Sequence, residues 1–600
     1  MEADGESLRM ALREGAGLGS IPTQWDEEYE LVVLGAGAGG MTAALVASIE
    51  GLRTLLIEKS DQVGGTTAYS SGTVWIPDNA QQRQLGVAND AATALEYLDA
   101  LVGDRANREL RKAFIAAGRE MLDYLARHTD VGFRVYRQQP DYRQELPGAT
   151  LGGRPLEPLP FDGRTLGKDF DRVRWPILEL MLFGGMMVTR GEAARLLRVG
   201  RSWNALWLGV NLVSRFASDR LRYKRGTRLV LGNALAARLF RNLLDRRVGV
   251  WFSAKTKRLI LEQGRVSGLV AERDGSEVRV RASRGIVLAG GGFPASPELR
   301  ERYFPKPVAK YTTAFAGCVG DTLRMAQEIG ASLGPLGEDN SLWFPSSIAI
   351  RKDGSTAVYP HIILDRGKPG LVAVNAAGKR FVNEAVSYHE FTRAMYRSHR
   401  EVASIPTWLV CDRLFIWKYG LGMIRPLTPF LRGYVKRGYL KLADSIEGLA
   451  RTIGVDAGGL VETIRAHNEF ARTGVDAQFG KGGDAYDRAG GDATHLPNPC
   501  IGPIGRPPFC AVAVLPTPLG TSLGLLTDVH AQVLDRSGRP IPGLYACGND
   551  MHSAVGGEYP GAGNELGLAM TFGYVAARHA AGDDDTARPG VVGVPGAHAR

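Results

Sequence analysis

The sequence predicts an α/β fold built on a parallel sheet with a dinucleotide site, and three segments predict it. Residues 28–58 read as a complete β-α-β unit with a Gly-x-Gly-x-x-Gly turn. Residues 284–293 and 543–550, far downstream, each repeat a short apolar run that ends in glycine. Runs of this kind suit strands buried on both faces of a parallel sheet.

In the first unit, Tyr-Glu-Leu-Val-Val-Leu at 29–34 is the strand, and it runs into Gly35-Ala-Gly37-Ala38-Gly39-Gly40. Gly35 permits the tight turn, Gly37 lets a pyrophosphate approach the backbone, and Gly40 lets the helix pack against the strand. Ala38 and Gly39 complete the cofactor-binding turn, and a small-residue helix from Met41 follows, its N-terminus facing the diphosphate with free N–H groups. A second strand at 53–57 ends at Glu58, placed to bind ribose hydroxyls, with Lys59 beside it. This unit alone is compatible with NAD or FAD. The loop that follows favours FAD: Gly65, Thr66, Thr67, Ser70, Ser71 and Gly72 suit a cofactor lying extended, its ribityl and flavin end further along.

The distant segments return to the same site. The strand at 284–289 ends in Gly290 and Gly291, and the one at 543–547 ends in Gly548 and Asn549. A helix beginning at Leu566 would aim its N-terminus at the pyrimidine edge of the flavin, where negative charge collects on reduction.

At 600 residues the chain is too long for one core, so two or three domains are expected. Its 44% hydrophobic and 23% charged residues are ordinary for a globular protein, whereas 76 glycines exceed the usual share of about 7%. Five scattered cysteines without a Cys-x-x-Cys pair argue against a disulfide framework or a metal site, and they fit a reducing, cytoplasmic location. The N-terminus lacks the apolar core of a signal peptide, and no run of about 18 apolar residues could span a bilayer.

The net charge of +10 invites a nucleic-acid reading, but its distribution excludes it. Between residues 172 and 247, 16 Lys and Arg stand against 4 Asp and Glu, a local net charge of +12, so the remainder is slightly acidic. No nucleic-acid-binding module accompanies that charge.

With these motifs in view, the chain resembles the fumarate reductase/succinate dehydrogenase flavoprotein superfamily, and within it the 3-ketosteroid Δ1-dehydrogenases. The stretches that carry the resemblance are GGTTAYSSGTVWIPDN at 64–79, GLVAVNAAGKRFVNEAVSY at 370–388 and EYPGAG at 558–563. The resemblance implies a Rossmann-like FAD-binding domain split in sequence, at 26–340 and 505–600. An inserted α+β catalytic domain at 341–504 would cover the flavin.

It also implies roles. Tyr388 matches the general base and Tyr142 its supporting tyrosine. Tyr559, by its hydroxyl, and Gly563, by its backbone N–H, match the pair that holds a 3-keto oxygen. Removing a proton beside a ketone builds enolate charge on the carbonyl oxygen, which needs two aimed donors, and a phenol serves as base only where its anion is stabilised. The expected reaction is 1,2-desaturation of a 3-ketosteroid or similar fused-ring ketone, with a quinone-like electron acceptor. A dicarboxylate reductase is disfavoured because residues 559–568 hold no arginine. Covalent flavin is disfavoured because 64–69 holds no histidine, so FAD is expected to be non-covalent. The alternatives are a reductase of another activated C=C bond and a flavin electron carrier with no substrate of its own. Asn564-Glu565 departs from the family pattern; the acid could bind a polar substituent or cap the helix.

An insertion at about 171–226 has no counterpart in soluble members of that family. Trp203, Leu206, Trp207, Val210 and Val213 fall on one helical face, flanked by Arg195, Arg198, Arg201, Arg215, Arg220, Arg222, Lys224 and Arg225. Two readings stand: a helix packed on its own domain with solvated arginines, and an interfacial helix within 175–222 that docks on anionic lipid at the inner face of the cell membrane.

Overall fold

The computed structural model describes residues 24–87, 89–196, 202–362 and 365–583. It holds two main sheets, and the chain visits the first, then the second, then the first again.

β1 (Glu27–Leu34) buries Leu31 to Leu34 and delivers the chain to Gly35. Gly35 sits at φ +108°, where a Cβ would lie 2.3 Å from the Ala289 carbonyl oxygen, so only glycine fits this turn. α1 (Ala38–Ile49) follows behind Gly37, which offers no side-chain cap to its first turn. β2 (Thr54–Ile57) pairs parallel to β1. Further along the chain come α2 (Trp203–Arg220), inside the insertion, and α3 (Leu231–Asp245), then β3 (Gly249–Trp251), parallel to β2. β4 (Lys255–Glu262), β5 (Arg265–Arg273) and β6 (Ser276–Leu288) form a meander. The end of β6 lies parallel to β1, with Val33 opposite Val287 and Leu34 opposite Leu288.

The second sheet is antiparallel. It contains β7 (Ser341–Ile350), β8 (Thr356–Pro360), β9 (Leu371–Val374), β10 (Thr407–Asp412), β11 (Lys441–Ala443) and β12 (Phe509–Thr521), in the order β8-β7-β12-β10-β9 with β11 on β12. α4 (Tyr388–His399) lies between β9 and β10 in sequence. β12 falls where the sequence placed the second FAD segment. It pairs with β7 and β10, so the return to the first sheet comes after Thr521 and not at 505.

β13 (Gln532–Leu534) and β14 (Pro540–Ala546) complete the first sheet, in the order β13-β14-β6-β1-β2-β3. α5 (Asn564–Ala580) packs across α1 so closely that a Cβ on Gly39 would meet the Ala569 carbonyl oxygen at 2.9 Å.

The insertion is integrated into the molecule. Arg174 donates to the Ser60 hydroxyl at 2.8 Å, beside the second glycine loop. Arg225, expected to be solvated, is buried: it donates to Asn233 at 2.7 Å and to the Val173 carbonyl at 2.9 Å, with its guanidinium over the Phe170 and Trp175 rings. A charge inside a core persists only when so partnered. Arg351 pairs with Glu179 at 2.7 Å and Arg425 donates to the Met181 carbonyl, tying the insertion to the second sheet's side. The face of α2 carrying Trp203 (85% exposed) and Trp207 (70%) is uncovered, against the packed-helix expectation. Arg198 and Arg201 lie outside the described residues. No helix among the described residues is long and apolar enough to cross a membrane.

Candidate active site

A cavity of about 460 Å³ opens beyond the carboxyl ends of β1, β2 and β6 and extends to the second sheet. Ligands of open α/β sheets sit at such strand ends. One end of the cavity is a cradle of backbone. It is lined by Gly35, Gly37, Ala38, Gly39, Gly40, Glu58, Lys59, Gly65, Thr66, Thr67, Ser70 and Ser71 from the first unit and the loop after it. Gly290 and Gly291 after β6, Gly548 and Asn549 after β14, and Leu566 of α5 complete it. Gly72 is the exception. It does not line the cavity; a Cβ there would lie 2.7 Å from the Gly232 nitrogen, so it is glycine to let α3 approach.

The cradle fits a dinucleotide. A Cβ added to Gly37 or Gly65 would meet nothing nearer than 3.9 Å or 3.8 Å, so both present bare backbone to open space beside the uncapped start of α1. Thr67 accepts from the Ala38 N–H at 3.0 Å and shapes that turn. Glu58 is already engaged: one carboxylate oxygen takes the Ala36 N–H at 2.9 Å, and the other takes Ser60 N–H and hydroxyl at 2.9 and 2.8 Å. A carboxylate has acceptor capacity left over for a ribose hydroxyl. Lys59 pairs with Asp321 at 2.7 Å. Asp550 takes the N–H groups of Gly290 at 2.6 Å and Gly292 at 2.8 Å, locking the turn after β6 to the segment after β14. The sequence reading missed Asp550, although it directly follows Gly548-Asn549.

The other end of the cavity is apolar and aromatic. Tyr142, Tyr388 and Tyr559 meet there, all buried. The Tyr142 hydroxyl donates to the Tyr388 oxygen at 3.0 Å. The Tyr142 ring stacks on Tyr559 with centroids 5.6 Å apart, and Tyr388 meets Tyr559 edge-on at 5.3 Å. Each tyrosine has its own anchor. Tyr388 opens α4 behind the Ser387 cap. The Tyr142 N–H reaches the Pro560 carbonyl at 2.9 Å, joining two segments more than four hundred residues apart. Asp141, next to Tyr142, is fixed by Arg154 at 2.6 Å and the Trp75 indole at 2.8 Å. Gly563 borders the same space at φ +96°, where a Cβ would strike the Thr73 carbonyl oxygen at 2.5 Å.

Burial pushes the Tyr388 and Tyr559 phenols well above their ordinary range, while the bond from Tyr142 favours the Tyr388 anion. Burial also pushes the Glu565 carboxyl up to about 7. Glu565 is not a cap: α5 starts behind Gly563 with no side-chain cap, and the Glu565 carboxylate meets Asn549 at 3.1 Å and the Tyr559 hydroxyl.

Sequence reasoning also missed the walls. Ile177, Leu180 and Val188 come from the insertion, Phe344 and Leu519 from the second sheet, and Ile362 from the loop after β8. Among the described residues, the cavity's lining includes no arginine and two lysines, Lys59 and Lys255. Both belong to the dinucleotide end; Lys255 follows Ala254, whose N–H bonds to the Glu58 carbonyl at 3.1 Å. No group of three or more metal-ligating side chains is found among the described residues.

The chain matches the FAD binding domain family over residues 30–566. It is similar to 4-oxocyclohex-2-ene-1-carboxylate 5-dehydrogenase of Sinomonas cyclohexanicum, at 36% identity over 92% of this chain and 93% of that one. It is similar to 3-oxosteroid 1-dehydrogenase of Mycobacterium tuberculosis, at 34% identity over 92% of this chain and 98% of the other. Among solved structures, 3-ketosteroid Δ1-dehydrogenase from Sterolibacterium denitrificans, in complex with 1,4-androstadiene-3,17-dione, superposes with a TM-score of 0.87 at 38% identity, covering 92% of this chain and 99% of that one.

Proposed function

We propose, since the chain belongs to the FAD binding domain family and within it to the 3-oxosteroid 1-dehydrogenases, that it introduces a 1,2 double bond into a neutral 3-ketosteroid. It is an FAD-dependent oxidoreductase acting on a CH–CH bond. Bound non-covalently in the glycine cradle, FAD supplies the acceptor for the hydride leaving C1. The chain's residues do the rest. Tyr388 takes the C2 proton as its phenolate and becomes a neutral phenol, and Tyr142 stabilises that phenolate beforehand by donating to its oxygen. The Tyr559 hydroxyl and the Gly563 N–H hold the C3 carbonyl oxygen, where enolate charge develops. The apolar walls exclude water from that charge.

The observation that carries this reading is the contact of Tyr142, Tyr388 and Tyr559 in the apolar end of the cavity whose other end is the dinucleotide cradle. A flavin electron carrier needs no such space beside its cofactor. The relatives named above include one that acts on a small cyclic ketone bearing a carboxylate. Among the described residues no lysine or arginine lines the tyrosine end, which favours a neutral ring over such an anion, because an unpaired charge is costly to bury. With an artificial electron acceptor, kcat/KM for a 4-en-3-one steroid should exceed that for 4-oxocyclohexanecarboxylate by about tenfold or more, a barrier difference of ~1.4 kcal/mol. The reverse order would contradict the neutral-ring reading. A protein that instead reoxidises reduced flavin with an activated C=C substrate, and reduces none with a ketosteroid, would be a reductase.

A finer proposal concerns the insertion: it sits on the cytoplasmic face of a bilayer, from which both the sterol and a quinone electron acceptor are drawn. Its support is continuity. The insertion that presents the uncovered Trp203 and Trp207 face also supplies Ile177, Leu180 and Val188 to the cavity wall.

A further inference from the structure

Glu565 is an acid placed where the substrate's ketone is to be held, and the proposed chemistry gives it no part. Its carboxylate is enclosed by named neighbours. Tyr559 reaches it from the 558–563 loop, Asn549 from the turn after β14 at 3.1 Å, and Gly520 of β12 lies so near that a Cβ there would be 2.1 Å from a carboxylate oxygen. A small second cavity on its far side is lined by Thr521, His552 and Asn564. Among the described residues, no lysine or arginine lines either cavity at this end.

The Tyr559 hydroxyl has one proton and two claimants. An ionised carboxylate is a far stronger acceptor than a ketone, so it draws the phenol proton toward itself and away from the substrate. A neutral carboxyl reverses the direction of the bond: its O–H donates to the Tyr559 oxygen, and the Tyr559 hydroxyl turns outward.

We propose that Glu565 is a positioning residue for the ketone: in its neutral form it donates to the Tyr559 oxygen and so commits the Tyr559 hydroxyl to the substrate carbonyl. This rests on the tyrosine site read above. No proton leaves Glu565 in this role; the C2 proton still goes to Tyr388. The burial that pushes Glu565 up to about 7 makes the donating form abundant at neutral pH. The sign is fixed by that direction: ketone binding is strong below about pH 7 and weakens above it as the carboxylate forms. Titratable neighbours of this pair lie outside that window. His552 is held at about 4 and His389, against the far side of Tyr559, well below its ordinary value, both by burial, while Tyr388 and Tyr559 are pushed well above theirs.

The test is an equilibrium one, which separates it from catalysis. 1,4-Androstadiene-3,17-dione already carries the 1,2 double bond, so its dissociation constant can be read from the flavin spectrum of the oxidised holoenzyme between pH 6 and pH 9. Wild-type binding should weaken about three- to tenfold across that range, the worth of one neutral hydrogen bond. Glu565→Gln keeps the shape and a permanent N–H donor, so its binding should stay tight and flat with pH. Glu565→Met, without a donor, should bind weakly at every pH, with retained FAD content showing that it folds. A wild-type constant that does not change with pH, or a Glu565→Gln protein that binds weakly throughout, overturns the proposal. A dienone that fails to bind at any pH overturns the steroid reading and this one with it.

Discussion

In the proposed reaction Tyr388 is a phenol acting as base in a buried pocket, and burial alone works against its anion. What offsets this is the Tyr142 hydroxyl at 3.0 Å. Tyr388→Phe removes the only oxygen at that position, so turnover should fall to below about a tenth of wild type while FAD content and ketone binding persist. Retention of more, a barrier change under ~1.4 kcal/mol, would place the base elsewhere. Much of this scale was legible in the sequence, because glycines at Gly35 and Gly37 and tyrosines in distinctive local motifs are recognised from their immediate neighbours. Partners across the fold were not. Glu565 reads as a helix-start acid until Tyr559 and Asn549 are seen to close on it, and Gly72 reads as a ligand loop until α3 is seen against it. Asp550 reads as a loop acid, although it holds two N–H groups of a turn 260 residues earlier.

At the scale of elements, α2 is the informative case. Its apolar spacing was visible, but spacing cannot say whether a stripe is covered, and the structure leaves Trp203 and Trp207 outside. Removing residues 175–222 outright would not test this cleanly, since Arg174 next to the cut, Met181 and Glu179 bond to the cofactor-side loop and the second sheet's side. The double substitution Trp203→Ser, Trp207→Ser changes only exposed rings. It should move the protein from the pellet to the supernatant in sedimentation with anionic liposomes, and high salt should weaken wild-type binding through its basic flank, at about 1 kcal/mol per basic residue. Wild-type protein that ignores such liposomes at low salt would contradict the interfacial reading. The misplacement of β12 has a related cause. Residues 509–521 form an apolar strand that suits either sheet, and only pairing with β7 and β10 assigns it.

At the scale of the molecule, the strand ends of the first sheet form the glycine cradle and the second sheet supplies walls of the same cavity. Both strand-end glycine turns and α5 come from the first sheet's domain, whereas Tyr388 and Phe344 come from the side of the second. Tyr142 and Tyr559 approach from loops of the first part, so the reacting end exists only where the two parts meet. That arrangement requires the cofactor and a ketone to share one cavity, and it makes hydride transfer between them the central claim. The direct measurement is the absorbance of the purified yellow protein, titrated without oxygen with a 4-en-3-one steroid. The flavin bands should bleach in proportion to the steroid added, with a 1,4-dien-3-one formed in equal amount. Flavin that stays oxidised through an excess of several 3-ketosteroids would contradict the claim.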